Sequence, residues 1–218
     1  MPVREKCKSV RTEIKTEKGE KLSLDTESLR KACAEFKAEE GRASFYDVAL
    51  EIADTHPLHA SLIILATWNV SRWRFMANDT QRLEEMKRAI EETKPFFEQL
   101  KSKEFRTVNF DEIEIAVKKI YSEFAKIEAV KYTGASKVMH LLNRNLFVMW
   151  DTDTRREYGF YNDDENDYFS FLKLMQEKFK GIEWNLPNKT FAKAIDEYNQ
   201  VKITLPKMKE RYKKKKLS

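Results

Sequence analysis

The sequence contains little cysteine, glycine or proline. Cys7 and Cys33 are the only cysteines among 218 residues, and no CxxC pair occurs. This is too few for a disulfide framework, and it gives no spacing that would bind zinc or an iron–sulfur cluster. The 5 glycines and 5 prolines leave few points at which a helix must end. We therefore expect a helical protein with reduced thiols and no cofactor.

Long apolar runs are also missing. No window approaches 18 uninterrupted apolar residues, and no apolar core follows the charged N-terminal sequence MPVREKCKSVRTEIK. A signal peptide needs such a core and a membrane-spanning helix needs a longer one. We expect a cytoplasmic protein that makes no membrane contact. Its 41% hydrophobic residues are enough to form a sizeable core.

The excess of positive charge is confined to the C-terminus. The net charge is +5, yet residues 207–218 alone carry seven basic side chains against one acidic side chain, Glu210. The rest of the chain is nearly neutral, so the overall charge does not indicate a nucleic-acid-binding face on it. The tail could bind phosphates by releasing counterions, or it could be a solvated end.

Apolar residues recur at helical spacing along most of the chain, as at Leu29, Ala32, Cys33 and Phe36. Pro57 precedes an apolar stretch that predicts a buried helix over about 58–75, and Pro95 predicts a break or kink in a later helix. No strand pair with a hairpin turn is present. We predict an all-α, multi-helix globular fold with about eight to ten helices.

The predicted organisation has three parts. A flexible arm covers residues 1–22, and a helical domain covers residues 23–203 as one unit or as two closely packed halves. A basic tail covers residues 204–218.

The segment Lys131–Gly159, KYTGASKVMHLLNRNLFVMWDTDTRREYG, differs from the rest of the chain. Thr133–Ser136 predicts a tight turn that opens a helix at Lys137, and free N–H groups at such a helix start suit a DNA phosphate. The apolar run Leu146–Trp150 then leads to Asp151. Such a run would hold the carboxylate in a fixed and partly desolvated place.

This order of features resembles the catalytic core of the helix-hairpin-helix DNA glycosylases, the group that includes endonuclease III and the 8-oxoguanine glycosylases. The resemblance places Gly134 in the hairpin turn and Lys137 at the nucleophile of the bifunctional members. Asp151 takes the place of the family's aspartate, and Arg156 that of the arginine five residues later. It implies a helix-hairpin-helix glycosylase-like fold, a damaged DNA duplex as the partner, and base excision with or without a lyase activity.

The segment departs from the family in three ways. The usual hairpin pattern L-P-G-x-G has two glycines where this chain has Gly134 alone, the loop from Lys137 to Asp151 is shorter, and the cysteine cluster of some members is absent. The segment is also similar to one in uncharacterised microbial proteins with no known activity.

The chemistry of base excision matches these residue types. The glycosidic bond breaks through an oxocarbenium-like state that a carboxylate stabilises, and a lysine can form a Schiff base with the sugar. The base must first leave the stack and enter a pocket, where aromatic side chains hold it. Besides Gly134 and Arg156, the candidate substrate-binding residues are Ser136, His140, Trp68, Trp73 and Trp150, with Phe75 as a further wall.

Each candidate also has a purely structural interpretation. Asp151 could simply cap a helix, Lys137 could be solvated or touch a phosphate, and His140 and the tryptophans could be core residues. His56 and His59 have no third ligand nearby, so no metal site is predicted. The alternative function is a non-enzymatic helical protein that binds nucleic acid or another partner through residues 134–137 and the tail.

Overall fold

The computed structural model describes residues 24–41 and 43–217, and the expected arm over residues 1–22 lies outside them. The described residues form an all-α fold with no strand. A 3-10 turn, Phe110–Glu112, precedes α6, and a π-helical segment, Gln200–Thr204, follows α10. The α-helices are α1 Thr26–Glu39, α2 Ala43–Ile52, α3 Pro57–Trp68, α4 Val70–Ala77, α5 Thr80–Leu100, α6 Glu114–Ala125, α7 Lys131–Leu142, α8 Thr152–Glu157, α9 Glu165–Lys178, α10 Phe191–Asn199 and α11 Leu205–Leu217.

Short polar side chains set several helix starts. A side-chain oxygen of the residue before the helix accepts a backbone N–H of the first turn, which has no partner within the helix. This occurs at Asp25, Asp79, Asp151, Asp164 and Thr190. Asp151 in this way sets where α8, the helix that follows it, begins.

The core is centred on α7. This helix packs against both α3 and α6, and it is buried continuously from Gly134 to Leu141. Residues 126–130 join α6 to α7, and the two helices pack against each other. The apolar run Leu146–Trp150 is buried against the same core.

The predicted turn at Thr133–Ser136 is wrong, because α7 already begins at Lys131 and Gly134 lies within it. The N–H of Gly134 donates to the Val130 carbonyl at 3.2 Å and is therefore not available to a phosphate. A Cβ on Gly134 would lie 2.8 Å from Asn69 Nδ2 and 3.0 Å from Leu65 Cδ2. Glycine at this position thus allows a close approach between helices.

The single apolar helix expected over about 58–75 is two helices, with Asn69 between α3 and α4. The buried Asn69 side chain donates from Nδ2 to the carbonyls of Ala129 and Val130, at 3.3 and 3.0 Å. These bonds tie the break to the start of α7. By contrast, α5 continues through Pro95, so the break considered there is absent.

The C-terminal residues form one continuous helical stretch made of α10, the π segment and α11, and the boundary expected at residue 203 falls inside it. Ion pairs tie α11 to neighbouring helices: Lys207 pairs with Glu157 at 2.7 Å and Lys209 with Glu39 at 3.0 Å. No helix within residues 24–41 and 43–217 is long and apolar enough to cross a membrane.

Candidate functional site

Lys137 and Asp151 line the same cavity, which has a volume of about 430 Å³. We call it the lysine–aspartate cavity. Its size falls within the range of about 300–1,000 Å³ that is usual for ligand pockets. Trp68 at the end of α3 and Tyr132 in the first turn of α7 also line it. The two residues proposed to be catalytic therefore line one space together with three aromatic residues, Phe36, Trp68 and Tyr132.

Three donors hold the Asp151 carboxylate. Its Oδ1 accepts the backbone N–H of Thr154 at 2.7 Å, so the predicted N-cap role is confirmed. Its Oδ2 accepts from the Thr204 hydroxyl at 2.8 Å and from Gln200 Nε2 at 3.1 Å. Asp151 therefore caps α8 and contributes to the cavity wall at the same time.

The apolar run delivers Asp151 to this position, because its end is fastened to α7. The Ser136 hydroxyl accepts the backbone N–H of Trp150 at 3.2 Å, and the Trp150 indole N–H donates to the Tyr132 carbonyl at 3.3 Å. Tyr168 donates to the Val148 carbonyl at 2.9 Å. Ser136 and Trp150 are buried, so they position the aspartate rather than contact a ligand.

Lys137 reaches the cavity from the second turn of α7. It is 9% exposed, and its Nζ donates to the backbone carbonyl of Trp68, the last residue of α3. Trp68 therefore both lines the cavity and binds Lys137 through its backbone carbonyl.

The C-terminal helical stretch forms a whole wall of the cavity. The wall residues are spaced three or four apart along it: Asp196, Gln200, Thr204, Met208 and Arg211. Segments of π-helix are rare and frequently occur at functional sites, and here the π segment carries both side chains that bind Asp151 Oδ2. Sequence reasoning missed this wall, because a polar stripe on a helix normally marks the solvent-facing side.

Asp196 of this wall belongs to a buried set of charges. Lys193 Nζ is 2.7 Å from Asp196 Oδ2 and 3.6 Å from Glu197 Oε1. Three aromatic rings surround the same ammonium, with centroids 4.6 to 5.0 Å away: Phe36, Tyr46 and Trp68.

Burial and charge act in opposite directions on these groups. Burial alone would lower the pKa of Lys193, but Asp196 and Glu197 raise it above its ordinary value. Burial raises the pKa of Asp196, against the opposing charges of Lys193 and Lys137. Asp196 and Lys137 both line the lysine–aspartate cavity.

The other predicted site residues lie elsewhere. His140 is fully buried between the Tyr46 hydroxyl at 2.7 Å and the Phe147 carbonyl at 2.6 Å, and burial lowers its pKa to about 3. Trp73 packs against the core and Phe75 is partly exposed, and neither lines the cavity. Gly134 serves packing.

Arg156 is exposed on α8 and does not line the cavity. Its neighbour Arg155 is the buried arginine, which the sequence did not single out. Arg155 donates to the carbonyls of Phe160 and Asn162 at 3.2 and 3.0 Å, and its guanidinium lies over the Tyr132 ring. It supports a ring of the cavity wall from behind.

Charges of both signs surround the cavity. Arg72 and Lys131 both pair with Glu128, and Arg211 forms a two-pronged ion pair with Asp153 at 2.9 and 2.6 Å. The described residues contain no group of three or more His, Cys, Asp or Glu side chains that could hold a metal ion.

Comparison of the chain with protein-family models, curated proteins and solved structures finds no match.

Proposed function

We propose that this chain is a DNA glycosylase that cleaves the N-glycosidic bond of a damaged or mispaired base. The observation that supports this most is that Lys137 and Asp151, from α7 and the start of α8, line one cavity. In base excision with lyase activity both groups act at the same sugar carbon, so they must share one space.

Asp151 stabilises the positive charge that develops on the sugar as the base leaves. An oriented carboxylate does this best when it needs no rearrangement during the reaction. The bonds from Thr154, Gln200 and Thr204 provide that orientation.

Lys137 attacks the sugar C1′ and forms a Schiff base, which gives the enzyme its lyase activity. The flipped base occupies the cavity beside Trp68 and Tyr132, whose rings offer stacking surfaces. Arg72, Lys131 and the exposed lysines of α11 provide positive charge for the DNA backbone around it.

The test is base release from duplexes that each carry one damaged or mispaired base, combined with borohydride trapping on a duplex with an abasic site. Wild-type protein should release at least one base and form a covalent complex. Asp151→Asn should lose base release, and Lys137→Gln should lose trapping, with both variants folded by circular dichroism. Arg156→Gln is the matched control, because Arg156 lies outside the cavity. No release and no trapping by the wild type would end the proposal.

The second candidate is a helical nucleic-acid-binding protein without chemistry. It is favoured by the structural contacts of the same two side chains, since Asp151 caps α8 and Lys137 binds the Trp68 carbonyl. In that case DNA binding would depend on salt and on α11, and Asp151→Asn would affect only stability.

A further inference from the structure

A second cavity, of about 680 Å³, lies on the other side of Phe36 and Trp68, which line both cavities. We call it the Glu197 cavity. Asp196 faces the lysine–aspartate cavity, whereas Lys193 and Glu197 line the Glu197 cavity. The partition between the cavities therefore consists of two aromatic rings and a set of buried charges.

The charges in this partition alternate in sign and form a chain. Lys189 pairs with Glu197 Oε2, Glu197 Oε1 lies 3.6 Å from Lys193 Nζ, and Lys193 Nζ lies 2.7 Å from Asp196 Oδ2. The side chains of Lys193, Asp196 and Glu197 are only 4 to 6% exposed. This chain of charges thus begins at Lys189, which lines the Glu197 cavity, and ends at Asp196, which lines the lysine–aspartate cavity.

Stability alone does not account for this chain. Taking charged groups out of water is costly, and apolar residues of similar volume often serve as well or better. Charged groups in a cavity with shifted pKa values are more typical of a functional site.

The proposed reaction needs a proton acceptor, and a buried charged group in the cavity could be that acceptor. Lys137 must lose a proton before its nitrogen has a lone pair to attack with, so a base has to lie within reach. Asp151 already accepts three hydrogen bonds, from Thr154, Gln200 and Thr204. Asp196 lines the same cavity as Lys137, on the wall formed by the C-terminal helical stretch.

We propose that Asp196 is the proton acceptor of Lys137, and that Lys193, held in turn by Glu197, positions it; this inference rests on the proposed function. An N–H bond of the Lys137 ammonium breaks and an O–H bond forms on Asp196. The freed lone pair then bonds to C1′, and the bond from C1′ to the base breaks with its electron pair on the base. The base takes the proton from Asp196, which restores the carboxylate.

The burial of Asp196 favours this transfer, because burial raises its pKa and makes it a better acceptor than a solvated carboxylate. The groups that oppose the shift are Lys193 from α10 and Lys137 from α7, while Glu197 adds to it.

The experiment measures borohydride trapping on a duplex with a preformed abasic site, from pH 6 to pH 9, so that base release does not enter. Asp196→Asn should slow trapping about 100-fold near pH 7, the scale of general-base catalysis. The deficit should shrink as the pH rises, because solvent then removes the proton from Lys137. The rate of trapping by Asp111→Asn, which makes the same change in a surface ion pair with Lys173 outside both cavities, should stay close to the wild-type rate.

Two further variants separate chemistry from folding. Asp196→Ala with added formate should regain trapping, since formate can occupy the vacated space and accept the proton. Lys193→Met combined with Asp196→Asn removes both charges of the pair, so no ammonium is left unpaired. If Asp196→Asn fails to fold, trapping by this double variant decides the role of Asp196.

The outcomes are distinguishable. A wild-type protein that neither releases a base nor traps abasic DNA overturns the proposed function itself, whereas one that releases a base without trapping overturns the roles of Lys137 and Asp196 only. A wild-type protein that traps, together with folded Asp196 variants that trap at the same rate and with the same pH profile, overturns only the role of Asp196. Slow trapping that formate does not restore also counts against it.

Discussion

Replacing Gly134 with alanine should destabilise the fold, although alanine is the better helix former. The added Cβ would lie 2.8 Å from Asn69 Nδ2, 2.9 Å from Val130 Cγ1 and 3.0 Å from Leu65 Cδ2. Real Cβ atoms essentially never come this close to a neighbour, so at least one of these atoms must move. Asn69 has little freedom to do so, because its Nδ2 binds the carbonyls of Ala129 and Val130.

The magnitude follows from two opposing effects. Overpacking a well-packed core costs about 1–3 kcal/mol. The greater helix propensity of alanine returns about 0.5–1 kcal/mol. We therefore expect Gly134→Ala to lower the free energy of unfolding by about 1–2 kcal/mol, which for a chain of this size corresponds to a fall in Tm of about 2–8 °C.

The assay is thermal and urea unfolding of Gly134→Ala beside Gly41→Ala. Gly41 is the matched control, since no heavy atom lies within 4 Å of its added Cβ, and we expect a change below about 0.5 kcal/mol there. A Gly134→Ala protein as stable as the wild type would refute the close approach of α7 to the α3–α4 junction.

Three further predictions concern the site, the core and the tail. Thr204→Val should slow single-turnover base release about tenfold or more by removing a donor to Asp151 Oδ2, whereas Thr204→Ser should not; equal rates in both would contradict this role. Burial lowers the pKa of His140 to about 3. As the pH falls, the His140 side chain therefore takes up a proton in the unfolded chain before it does so in the folded chain. Stability should therefore drop below pH 6.5 by about 1.4 kcal/mol per pH unit, and His140→Gln should lack this slope in urea titrations at pH 7.5 and 5.5. Replacing Lys213–Lys216 with glutamine should reduce the salt slope of DNA binding by roughly 0.9 for each lysine that contacts a phosphate; an unchanged slope would exclude these lysines from the interface.

The all-α fold could be predicted from the sequence because its signals are local. Apolar residues at helical spacing, Pro57 at the first position of α3 and Asp151 before α8 each act within a few residues of themselves. The apolar run Leu146–Trp150 also has the predicted role, since it is buried and ends at the aspartate.

The errors came from contacts between distant segments. The sequence predicted that Gly134 lies in a turn. The neighbours that require glycine there, Leu65 and Asn69, lie about 65 to 70 positions earlier in the chain, so the local sequence does not show them. The break at Asn69 has the same origin, since its hydrogen-bond partners lie 60 and 61 positions away. Such pairings leave no mark on the local sequence pattern.

The candidate site could be predicted only in part for the same reason. Lys137, Asp151 and Trp68 do line one cavity, but the wall from Asp196 to Arg211 was missed. Lys193, Asp196 and Glu197 have the spacing of an ordinary surface ion-pair set on a helix. Only the packing of Phe36, Tyr46 and Trp68 around Lys193 makes that set a buried one.

The position of the cavity wall in the chain determines when the site can form during synthesis. Gln200 and Thr204 lie 49 and 53 positions beyond Asp151, which they orient. A nascent chain that has exposed α7 and α8 therefore holds its lysine and aspartate without the residues that complete the cavity. We expect ribosome-bound chains to remain unreactive toward DNA until α10 and the π segment have emerged from the ribosome.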